Sequence, residues 1–153
     1  MVHEVPMPEI NIMRVGGDWS KALKAYKRRI NGWCCAALAP KSSGTVTVVL
    51  AHDAFIQELN HQYRGKNKPT NVLSFAGETG ELGDIVLGFE TIKREALAQG
   101  KSFAAHTAHL VVHGILHLLG FDHEKPREAG IMEKKEIAIL AQLGYANPYE
   151  VIS

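Results

Sequence analysis

The run His113-Gly114-Ile115-Leu116-His117-Leu118-Leu119-Gly120-Phe121-Asp122-His123 constrains this chain more than any other feature. Residues four apart on a helix of 3.6 residues per turn are offset by about 40°, so His113 and His117 project from one face and can share an ion. Gly120 tolerates the left-handed backbone that ends a helix, which lets the chain turn and bring His123 back toward the same ion. Three imidazoles with an open fourth position describe a catalytic zinc rather than a closed structural one.

The spacing is that of the zincin pattern H-E-x-x-H-x-x-G-x-x-H, with Gly114 in the place of the glutamate. In the peptidases that carboxylate is the general base. A glycine there removes both the base and an anionic charge and so makes room for a substrate that is itself an anion, which favours phosphodiester chemistry over peptide hydrolysis. Candidates for a replacement base are Asp122, His109 or a hydroxyl of the substrate.

The chain has 153 residues, about one domain's worth, and is expected to form a single metallohydrolase domain over 1–153. Its 17 Lys+Arg nearly balance 16 Asp+Glu, so a nucleic-acid partner would have to be met by a local patch. The only cysteines, Cys34 and Cys35, are adjacent and read as packed thiols in a reducing compartment. No basic segment precedes an apolar leader and no stretch approaches a membrane span, which together predict a cytoplasmic protein with no membrane partner.

Strands are predicted at Ile10 to Val15, Thr45 to Ala51, Asn71 to Phe75 and Asp84 to Phe89, with turns at Gly16-Gly17-Asp18 and Pro40-Lys41-Ser42-Ser43-Gly44 and a loop from Gly77 to Gly83. One helix is predicted to run through Trp19, Leu23, Tyr26 and Ile30, with Lys21, Lys24, Lys27, Arg28 and Arg29 on the other face, read as a solvated surface with an RNA-contacting patch as the alternative. Asp53 is the expected cap of a second helix, which ends before Arg64-Gly65-Lys66-Asn67-Lys68-Pro69. Further helices are expected at Thr91 to Ala98, Phe103 to Leu119 and Pro126 or Arg127 to Leu143, the last closed by Gly144. Strands crowd the first half and helices the second, so the fold expected is α+β, a mixed sheet packed with helices.

Of the eight histidines, His3, His52 and His61 lack partner spacing and read as surface or capping residues. His106 and His109 share the long helix with His113. Only the pair His113 and His117 is completed by a glycine break and a third histidine, so His109 becomes a candidate to support a ligand or line the cleft. A structural zinc with Asp122 or Glu124 as fourth ligand is the closed alternative. Met132 reads either as a core residue or as a methionine set beneath the metal. No aromatic motif for stacking RNA bases stands out.

The histidine run, with Tyr63-Arg64, Pro69-Thr70-Asn71-Val72-Leu73-Ser74-Phe75 and Leu82-Gly83-Asp84-Ile85, resembles the bacterial YbeY family of single-strand endoribonucleases and ribosomal RNA maturation factors. The likeness runs from about Leu59 to Met132. It implies a mixed four-stranded sheet and a zinc-type ion on His113, His117 and His123, although other divalent transition metals suit three imidazoles. It also implies a functional Arg64 and action on single-stranded RNA in small-subunit ribosomal RNA processing and quality control, with the small ribosomal subunit and its assembly factors as partners. Arg64 would clamp the phosphate and Lys66 and Lys68 position the backbone, so Arg64 and His113 are the expected catalytic residues. The rival classes are a zinc-stabilised, non-catalytic ribosome-assembly factor and a metallohydrolase of another bond such as a peptide. Asn71, where the family usually has aspartate, and Ala76, where proline often follows Phe75, depart from the pattern.

Overall fold

The computed structural model describes residues 8–38, 44–122 and 124–150. The chain runs β1 (Glu9–Arg14), α1 (Trp19–Ala22), α2 (Tyr26–Leu38), β2 (Thr45–Ala51), α3 (Asp53–Arg64), β3 (Val72–Ala76), β4 (Glu81–Gly88), α4 (Phe89–Gln99), α5 (Phe103–Leu118) and α6 (Pro126–Gln142). The four strands form one mixed sheet in the order β1-β2-β4-β3. β1 and β4 flank β2 in parallel, and β3 pairs antiparallel with β4 at the edge. The α+β expectation therefore stands.

Alternation along the strands sorts side chains to two faces. Val46, Val48, Leu50, Ile85 and Leu87 join the main core with Ile30, Trp33, Val111, Ile115, Met132 and Leu140. On the opposite face Leu73 and Val86 meet Ile56 of α3 in a smaller core that Val49, Leu59 and Phe75 cover. Met132 is thus a core residue of α6.

Several boundaries moved, each for a local reason. The first predicted helix is broken: Leu23 is extended and Ala25 takes a left-handed φ of 55° before α2 begins. That conformation costs about 1–2 kcal/mol for a non-glycine residue. Burial of the large Trp19 and Leu23 side chains, 0% and 1% exposed, offsets it. β4 starts at Glu81 rather than Asp84, because a register shift between Thr45 and Val46 and the positive φ of Gly83 let the strand continue through the irregularity. The cap of α3 is His52, which accepts from the Phe55 amide at 3.3 Å. Asp53 instead caps α4 across space, accepting from the Thr91 amide at 3.0 Å, while Glu90 accepts from the Asp53 amide at 2.9 Å. Two helix starts close on each other. His3 and the turn residues Pro40 to Ser43 lie outside the described residues.

The helix α5 is the centre of the packing. Ser102 caps it, accepting from Ala105. It ends as the sequence predicts: Gly120 sits at φ 98°, its amide bonds the His117 carbonyl and the Phe121 amide bonds the Leu116 carbonyl, a paired closure of the last turn. Gly114 is buried where this helix crosses the sheet. A Cβ there would lie 3.1 Å from Ile85 Cδ1 and 3.2 Å from Ser74 Oγ. The sequence suggests that this glycine clears space for a substrate; the structure gives it a different task, close approach of helix to sheet. Gly114→Val should therefore lower stability by about 2–3 kcal/mol through overpacking, read as a drop in the urea midpoint with an unchanged m-value.

Candidate active site

The edge of α5 that rises past β3 carries the histidines into a cleft of about 720 Å³. His113 and His117 line it, with ring centroids 4.7 Å apart and planes at 79°. Arg64, Lys66 and Lys68 line the same cleft, as do Asp122 and Glu124 from the segment after α5. The lining thus brings a basic lip, the 64–68 segment, together with two carboxylates after α5 and the two imidazoles. His123, the third expected ligand, lies outside the described residues.

The basic lip is held rather than loose. α3 ends at Gly65 in the left-handed region, where the Gly65 and Lys66 amides return to His61 and Asn60 carbonyls. Asn60, buried to 3% exposure, donates to the Lys68 carbonyl at 2.9 Å, and Gln57 donates to the Asn67 side chain at 3.1 Å. Arg64 reaches the edge strand, its guanidinium donating to the Ser74 carbonyl at 3.4 Å. Ser74 in turn donates to the Gly114 carbonyl at 3.3 Å, so the arginine, the strand and the histidine helix form one connected wall.

Behind the histidines lies a group that the sequence reading missed. Glu136 of α6 is wholly buried and receives three hydrogen bonds: from His113 at Nδ1 (2.6 Å), from His109 at Nε2 (2.9 Å) and from the Tyr149 hydroxyl. Burial alone would raise its pKa, yet the bonds from His109, His113 and Tyr149 outweigh it and hold the carboxyl at about 2. Tyr149 is pushed up from its ordinary value, first by burial and then by Glu136. The clue was present in the sequence. Met132, Glu136 and Leu140 form one buried stripe at four-residue spacing, and a charge in such a stripe needs partners.

His109, His113 and Glu136 present ligand atoms within 4.8 Å of one another and could hold a metal. As they stand the separations are hydrogen-bond lengths. Ligand atoms around a tetrahedral zinc at about 2.0–2.1 Å lie roughly 3.3 Å apart, so an ion here would have to spread them.

A second network explains one departure. Asn71 donates to Glu95 at 2.9 Å and accepts from the Val72 amide at 2.7 Å, while the same Glu95 oxygen meets His106 Nε2 at 2.9 Å. An aspartate at 71 would set two carboxylates against each other. Ala76 simply ends β3, paired with Gly83.

These features define a class: an α+β protein whose central helix sets a histidine pair into a basic cleft at the edge of a mixed sheet. Residues 18–144 match the family model described as Endoribonuclease YbeY. Relatives named Endoribonuclease YbeY include that of Magnetococcus marinus, 51% identical over 77% of this chain and 87% of its own length. The Parvibaculum lavamentivorans relative is 44% identical over 92% of this chain and 84% of its own. A Thermotoga maritima protein known from a solution structure superposes with a TM-score of 0.56 at 26% identity, covering 92% of this chain and 99% of that one. The chain belongs to the YbeY endoribonuclease family. Among the described residues no helix is long and apolar enough to cross a membrane.

His106 is buried to 4% exposure and its pKa is lowered, first by burial, with Glu95 pulling the other way. Its Nδ1 is buried without a hydrogen-bond partner among the described residues, so a proton added there would be stranded. The unfolded chain takes up that proton near pH 6.5 and the native ring only at lower pH. Stability should therefore fall as pH drops below about 6.5. Melting temperatures at pH 7.5 and 5.5 should differ less in His106→Gln than in the parent.

Proposed function

We propose that this chain is a metal-dependent endoribonuclease that cuts single-stranded RNA, acting as one domain in the cytoplasm on ribosomal RNA of the small subunit. One observation carries the reading: His113, His117, Arg64, Lys66 and Lys68 line a single cleft. The members of the family are named endoribonucleases, and this wall suits a polyanion better than a peptide. The small ribosomal subunit and its assembly factors are the partners that this reading proposes.

His113, His117 and His123 would hold one ion, zinc or another divalent transition metal. The donor set fits. Two imidazoles stand side by side at the cleft, and His113 has its Nδ1 tied to a carboxylate, as ligating histidines usually have at the nitrogen away from the metal. Glu136 and His109 would then orient ligands instead of binding the ion. A bound ion supplies Lewis-acid polarisation of a phosphate oxygen. Arg64 donates to the phosphate with a planar fork and stabilises the negative charge that grows on it during cleavage. Lys66 and Lys68 neutralise flanking phosphates without reading bases. The hydrogen bonds from Asn60 and Gln57 position their loop before substrate arrives, so its ordering is not charged to binding.

Two outcomes test this. Chelation should abolish cleavage of an unpaired RNA and added zinc should restore it, with His117→Ala losing metal and activity together; cleavage that survives complete metal removal, with circular dichroism unchanged, would overturn the metal's role. Arg64→Lys should lower cleavage about 100-fold or more, since lysine keeps charge but not the fork. Wild-type rates in that variant would remove Arg64 from the chemistry.

A further inference from the structure

We propose that Tyr63, backed by Phe75, is a stacking platform for one unpaired nucleobase of the RNA strand whose phosphate lies against Arg64. The proposal rests on the ribonuclease reading above and adds a base subsite to it.

Tyr63 is 62% exposed, an aromatic ring open to solvent in the last turn of α3. It does not hang loose. Its ring meets that of Phe75 edge to face, centroids 5.4 Å apart and planes at 66°. Phe75 is itself anchored, packing on the small core of Ala51, Ile56, Leu73 and Val86. A ring held this way loses little freedom when a base stacks on it.

Its place on the fold links it to the cleft. Tyr63 precedes Arg64 on α3 and Phe75 follows Ser74 on β3, and Arg64 is hydrogen-bonded to Ser74 between them. The aromatic pair therefore flanks the contact that closes the phosphate wall. Ser74 turns toward α5, bonding Gly114, and Phe75 turns to the opposite face as strand alternation requires. β3 is the edge of the sheet, so a strand leaving the cleft past Arg64 meets this pair at the rim. Backbone charge met by cations and a base met by an aromatic face is the usual division of labour in single-strand binding. A base inside a duplex is already stacked and has no face to offer, so the platform favours unpaired RNA.

Fluorescence anisotropy with a short labelled single-stranded RNA, measured in chelator to prevent cleavage, tests the platform. Tyr63→Phe should bind as the parent does. Tyr63→Leu keeps an apolar cover over Phe75 but offers no aromatic face, and should weaken binding roughly 5- to 150-fold, with the melting temperature and the affinity for duplex unchanged. Loss of stability without loss of single-strand affinity would mean that Tyr63 only shields Phe75, and would overturn the platform alone. Failure of the parent to bind single-stranded RNA both in chelator and with zinc restored would overturn the ribonuclease reading and the platform with it.

Discussion

The close approach of α5 to the sheet is the constraint on which the rest of this structure depends. Gly114 lies so near Ile85 and Ser74 that a single added carbon would touch both. Residues on one side of the helix, among them Val111 and Ile115, are sealed in the main core. The turn spacing then leaves His113 and His117 on the flank, at a height above β3 fixed by that contact. Because interiors are packed at crystal-like density, the helix cannot slide without opening voids or forcing clashes. The histidine pair inherits that rigidity, which is what a metal ligand set or a phosphate site needs from its scaffold.

Rigidity is extended outward by polar contacts. Glu136 receives bonds from His109, His113 and Tyr149 in full burial, so it joins α6 and the segment after it to the histidine helix. An unpaired carboxylate in that position would be costly, and its three donors remove the cost while fixing the orientation of His113. On the other side, Arg64 and Ser74 tie α3 and the edge strand to the same helix through the Gly114 carbonyl. The cleft is bounded by elements from distant parts of the chain that share α5 as their common support.

Much of this was legible in sequence because it depends on local periodicity. The four strands, the long apolar helix, its glycine end and the face shared by His113 and His117 all follow from residues close in the chain. What failed did so at junctions between elements. Asp53 looked like the cap of its own helix, but Glu90 and Thr91 lie beside it in space and His52 takes the local cap. The helix expected through Trp19 and Ile30 broke at Ala25 because Trp19 and Leu23 had to reach one core. Gly114 suggested open space by its lack of a side chain, while the sheet had already taken that space.

The sequence by itself determined the chemistry on offer: imidazoles at helical spacing, a basic loop, a buried-stripe carboxylate and two separate aromatics. Those are properties of residue type and short-range repeat, which a linear reading retains. Only the tertiary structure decided which of them act together. Glu136 found His113 across a helix interface, Arg64 found Ser74 across a sheet edge, and Tyr63 found Phe75 at the rim. Such pairings depend on how elements pack, and packing is a many-body outcome that no spacing in the chain encodes.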